Sequence, residues 1–119
     1  MHSSASQRQI LIVEDDPDIR ESLRDAFEDE GYLVRCAENG RAGLESLRRH
    51  GPPAAVVLDL LMPVMTGNEL YDVMQADPTL AGIPVIVSTS EPHRAPSGVR
   101  VVKKPVDLGA MLATIEGVC

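Results

Sequence analysis

The chain has 119 residues, enough for one domain and one hydrophobic core. Its net charge of −7 argues against sequence-independent binding to nucleic acid or to anionic membrane surfaces. With Phe27, Tyr32 and Tyr71 as the only aromatic residues, aliphatic side chains must fill the core. Cys36 and Cys119 lack ligand spacing and are too few for a disulfide scaffold, so both read as reduced thiols of a cytoplasmic protein. The polar opening, residues 1–8, has no apolar stretch and reads as a disordered lead-in rather than a signal peptide or membrane span. One domain is expected over residues 9–119.

The elements alternate. "ILIV" (Ile10 to Val13) is apolar on both faces, as a central parallel strand must be when helices cover both sides. Asp16 then stands as a helix N-cap with Pro17 at the first helical position, and Gly31 marks the stop. Within that helix Ile19, Leu23, Ala26 and Phe27 form one stripe. A second strand, Tyr32 to Ala37, precedes a helix that begins after Asn39, turns Leu44 and Leu47 inward, and ends at "HGPP". A third strand, Ala54 to Leu58, runs into Asp59, and a third helix carries Leu70, Val73 and Met74 as far as "ADP". "IPVIVS" (Ile83 to Ser88) and "VRVV" (Val99 to Val102) complete five strands, and a last helix carries Leu108, Met111, Leu112 and Ile115. This alternation predicts a three-layer α/β fold around a parallel sheet.

One connection is too short for the pattern. A parallel crossover ordinarily takes a dozen or more residues, usually including a helix. Here Glu91 to Gly98 provides eight residues with prolines at 92 and 96. They reach at most about 28 Å, so a loop or a single helical turn is expected between the fourth and fifth strands. Such a loop should leave the fourth and fifth strands partly bare, with Val99 or Val101 near solvent and available as a partner or dimer contact.

Ligands of open parallel sheets bind outside the carboxyl ends of the strands. At those ends lie Glu14, Asp15 and Asp16, then Asp59, then Ser88, Thr89 and Ser90, then Lys103 and Lys104. Each has a plain structural explanation. The acidic triplet can cap a helix, the hydroxyls can cap a turn, Lys104 can be a surface charge, and a buried Asp59 can bond loop amides. Their gathering on one rim points to chemistry instead. Clustered carboxylates suit Mg²⁺, and a divalent cation keeps them ionised. An ionised Asp59 can then attack a phosphoryl group whose oxygens a hydroxyl and a lysine contact.

These stretches resemble the CheY-like receiver domains of two-component response regulators. "ILIVEDDPDIR" is similar to the acidic opening motif, "VLDLLMPVMTG" to the phosphoacceptor loop, "IPVIVSTS" to the switch strand and "VKKP" to the lysine–cis-proline motif. The resemblance implies a flavodoxin-like fold with strand order 2-1-3-4-5. It implies Asp59 as phosphoacceptor, with Thr89 as switch hydroxyl and Lys104 as phosphate-binding lysine. Glu14, Asp15, Asp59 and the backbone carbonyl of Leu61 are the implied Mg²⁺ ligands. Two departures stand out: the crossover helix before the fifth strand is reduced, and Val101 occupies the place of an aromatic switch residue.

The function implied is a single-domain phosphoacceptor served by a histidine kinase or a histidine phosphotransfer protein, with a homodimer through the strand 4/strand 5 face as a further possibility. It is a signalling domain, not an enzyme acting on another substrate. The alternative is a phosphate-independent interaction module, which would have no need of the acids, hydroxyl and lysine. A haloacid-dehalogenase-type phosphatase would need an aspartate two residues after the nucleophile, where this chain has Leu61.

Overall fold

A computed structural model describes residues 8–119; the lead-in expected over 1–8 lies almost wholly outside the described residues. Five strands form one parallel sheet: β1 (Gln9–Val13), β2 (Leu33–Ala37), β3 (Ala55–Asp59), β4 (Val85–Thr89) and β5 (Arg100–Lys103). Their order is β2-β1-β3-β4-β5, as expected. The helices are α1 (Pro17–Asp29), α2 (Gly40–His50), α3 (Gly67–Ala76) and α4 (Leu108–Val118).

Strand alternation divides the apolar residues between two layers. Leu11, Val13, Val56, Leu58, Val85 and Val87 face Leu44 and Leu47 of α2 and Leu70 and Met74 of α3. Ile10, Ile12, Val57 and Ile86 face Leu23 and Phe27 of α1 and Met111 and Ile115 of α4. Each fully buried Leu, Ile or Phe contributes about 1.5–3 kcal/mol, so both layers hold the strand ends in place. β3 and β4 are buried along their whole length, which explains the apolar runs that lead into Asp59 and into Ser88 and Thr89.

The helix boundaries follow local chemistry. Asp16 caps α1 by accepting from the amides of Asp18 and Ile19, with Pro17 behind it. Gly31, at φ 95°, takes the left-handed conformation past the end of that helix. Asn39 caps α2, and Thr66 and Glu69 form a reciprocal capping box on α3. The "TGNE" spacing carries that last signal in the sequence.

Some strands start later than the sequence indicates. β2 begins at Leu33, because the Tyr32 amide donates to Phe27 at the end of α1. β4 begins at Val85, since the Ile83 amide closes a turn onto Leu80 and Pro84 has no amide to give the ladder. Between β4 and β5 lies a single 3-10 turn at Pro92–Arg94. The expectation of a bare face holds for only one of the two strands it named. Ala95 and Val99 pack against the core layer that holds Val85 and Val87, and β4 is buried throughout. β5 is not, and Val101 is 38% exposed.

Candidate functional site: an acidic pocket at the strand ends

The pocket is built where β1 and β3 end side by side, with Val13 opposite Leu58 in the ladder. Glu14 follows β1 directly, and its amide donates to the Ala37 carbonyl at 3.0 Å. Its carboxylate is almost wholly buried and accepts from the Asp16 amide at 3.1 Å. Asp59 closes β3 and is 5% exposed, whereas Asp15 stands in solvent at the mouth. One carboxylate oxygen from each of the three lies within 4.8 Å of the others.

Lys104 enters from the end of β5. Its amide donates to the Thr89 carbonyl at 2.9 Å, extending the ladder by one residue. Strand alternation then separates it from Lys103, whose side chain is exposed. The Lys104 ammonium lies 2.9 Å from a Glu14 oxygen and 3.2 Å from an Asp59 oxygen. The Lys104–Pro105 peptide bond is cis, as the resemblance implies. Among the described residues Lys104 is the hydrogen-bond donor to the Asp59 carboxylate, and no loop amide reaches it. That removes the loop-amide explanation for burying Asp59.

The electrostatics follow from this crowding. Burial and then the Glu14 charge push the Asp59 carboxyl up to about 7, with Lys104 pulling the other way. For Lys104, burial acts to lower the ammonium, but Glu14 and Asp59 outweigh it and hold it above its ordinary value. A buried acid strained in this way is what a bound cation relieves. Hard oxygen donors clustered within reach of one point fit Mg²⁺.

Thr89 ends β4, fully buried, in register with Lys103. Its hydroxyl oxygen accepts from the Glu91 amide at 3.0 Å, which starts the crossover turn. Leu61 is half exposed on the loop after Asp59. The sequence thus brings Glu14, Asp15, Asp59 and Lys104 together, with Thr89 at the neighbouring strand end.

Three supporting residues escaped sequence reasoning. Arg20 donates to the carbonyls of Glu14 and Asp15 at 2.8 and 3.4 Å, pinning the acidic loop from α1. Asn68 donates to the Arg94 carbonyl at 3.2 Å and ties α3 to the crossover turn. Gly67 sits so close to β3 that a Cβ would collide with the Asp59 carbonyl and the Leu60 Cα. Arg20 closes the opening motif, four residues into the first helix, and that placement is its only sequence signal.

The response regulator receiver domain family matches residues 10–116. The sensor histidine kinase TmoS of Ectopseudomonas mendocina is 38% identical over 88 residues, covering 74% of this chain and 9% of that kinase. This chain therefore spans less than a tenth of that relative's length. Protein PilH of Pseudomonas aeruginosa is 33% identical over 117 residues, covering 92% of this chain and 96% of PilH. The solved receiver domain of a signal transduction histidine kinase from Syntrophus aciditrophicus superposes with a TM-score of 0.84. It is 29% identical and covers 93% of this chain and 89% of that one. With sheet order, strand-end pocket and family match in agreement, the chain belongs to the response regulator receiver domains, the phosphoacceptor modules of two-component signalling.

Proposed function

We propose that residues 9–119 act as one receiver domain in which Asp59 accepts a phosphoryl group from the phosphohistidine of a histidine kinase or a histidine phosphotransfer protein. The observation that carries this reading is the Lys104 ammonium bridging Glu14 and Asp59 beside a third carboxylate, Asp15. An Asp59 oxygen attacks phosphorus, the P–N bond to the donor imidazole breaks, and an acyl phosphate forms. Lys104 holds the carboxylate in place beforehand and contacts a phosphoryl oxygen afterwards.

Glu14, Asp15 and Asp59, with the Leu61 carbonyl, are the residues to hold Mg²⁺. Bound there, the ion would neutralise charge on the phosphoryl oxygens. Thr89 donates its hydroxyl proton to the new phosphoryl group. Drawing the hydroxyl toward the phosphoryl group lengthens the bond it accepts from the Glu91 amide and loosens the turn that Glu91, Arg94 and Asn68 hold together. The signal therefore leaves through the crossover and the exposed β5, with Val101 needing no aromatic rotation. The domain acts in the cytoplasm as a signalling element, and it turns over no substrate but its own phosphate.

Borohydride reduction after incubation with acetyl phosphate and Mg²⁺ tests the assignment. An acyl phosphate at Asp59 yields homoserine at position 59 in the peptide map. Homoserine at position 15, or 2-amino-5-hydroxypentanoic acid at position 14, would assign the acceptor elsewhere.

A further inference from the structure

The sheet edge remote from β5 carries a polar cleft that phosphoacceptor chemistry does not use. It has a volume of about 390 Å³ and lies between β2 and α2, within the usual size range of small-molecule sites. One wall is a stripe of α2: Ala42, Glu45, Ser46, Arg49 and His50. The other contains Arg35, which stands opposite Leu11 in the ladder and so faces the layer under α2.

Arg35 is a cation with an incomplete set of partners. One terminal nitrogen donates to the Gly51 carbonyl at 3.2 Å. The other terminal nitrogen and Nε are buried and bond to nothing among the described residues. No described carboxylate pairs with the guanidinium, and burial lowers its pKa below the ordinary value. Buried charges in folded proteins are normally paired. Arg49 adds a second positive charge without an ion-pair partner among the described residues, against the single acid Glu45 of the lining. Cations in the last turn of α2 also complement the helix dipole, but that does not account for Arg35, which lies on a strand.

We propose that this cleft binds a compact phosphate-type oxyanion, with Arg35 and Arg49 as its charge partners and the Ser46 hydroxyl as a further donor. Guanidinium groups match phosphate geometry better than a lysine would. The half-buried Arg35 head lines the cleft with two nitrogens unpartnered among the described residues and meets the anion there. The volume admits a small phosphate monoester as readily as inorganic phosphate.

The test is a titration of the full chain with inorganic phosphate at constant ionic strength, without divalent cations so that the acidic pocket cannot take part. NMR of the Arg35 Nε–H reads binding directly, and acetate and chloride serve as comparison anions. The expected result is a saturable shift with phosphate that Arg49→Ala weakens about three- to tenfold and Glu45→Gln strengthens by a similar factor. Arg100→Ala, at the opposite sheet edge, should leave the affinity unchanged. A linear response matched by chloride would overturn the proposal. So would saturable binding indifferent to both Arg49→Ala and Glu45→Gln, and saturation by acetate as tight as by phosphate would overturn the ligand class.

Discussion

Asp59 is a carboxyl set into the end of a fully buried strand, and its surroundings resist ionisation unless something positive comes close. This gives a signed pH dependence. Its pKa in the folded protein is about 7, above the ordinary 3.8, so between these values the folded state holds a proton that the unfolded chain has released. Stability therefore falls as pH rises through that interval, by up to about 4 kcal/mol. Asp59→Asn should remove the slope, leaving the variant more stable than the parent at pH 8 without divalent cation and little different at pH 4. Urea unfolding across pH measures this, and a parent stability that does not fall between pH 4 and 7 would contradict it. Lys104→Ala should cost about 1–3 kcal/mol at neutral pH, because it leaves two buried carboxylates facing each other. Lys103→Ala should stay within about 0.5 kcal/mol. A costly Lys103→Ala beside a silent Lys104→Ala would mean that the register of β5 is wrong by one. The residues that touch the pocket were legible because parallel topology collects strand ends. Arg20 was not, because it acts through backbone carbonyls.

Among the elements, α3 shows how closely the helices are set against the site. Its N-terminus is fixed by the Thr66–Glu69 capping box and by the absence of a side chain at Gly67, whose backbone presses on the Asp59 carbonyl. Thr66→Ala should cost about 1 kcal/mol. Gly67→Ala should cost more than that cap, because a methyl group there must displace backbone rather than a flexible side chain. Thermal unfolding of the two variants orders the costs, and a Gly67→Ala protein as stable as the parent would refute the close approach. The crossover is the other instructive element. Its shortness was plain from eight residues and two prolines, and a single turn is what forms. Its packing was not plain, because Ala95 and Val99 reach the core layer that holds Val85 and Val87 only once the loop has folded back. Hydrogen exchange should therefore show partial protection from Arg94 to Val99, lost in Asn68→Ala, which cuts the tie to α3.

At the scale of the whole molecule, alternating apolar runs and capped helices define a parallel sheet covered on both faces, whereas the strand order came from the family resemblance. Boundaries slipped by one or two residues where a turn amide, such as that of Tyr32 or Ile83, was already engaged. The cleft at Arg35 was invisible in sequence, since a lone arginine in a half-buried strand has no pattern that distinguishes it from a solvated charge. Among the described residues no helix is long and apolar enough to cross a membrane. In the proposed reading one carboxylate, served by two others and a lysine, accepts a phosphoryl group. Intact-mass spectrometry of the chain after incubation with acetyl phosphate and Mg²⁺ tests it most directly. The expected result is a gain of one phosphoryl group that disappears in Asp59→Asn and when the divalent cation is chelated. An equal gain in Asp59→Asn, or none in the parent chain under phosphodonor and Mg²⁺ together, would contradict it.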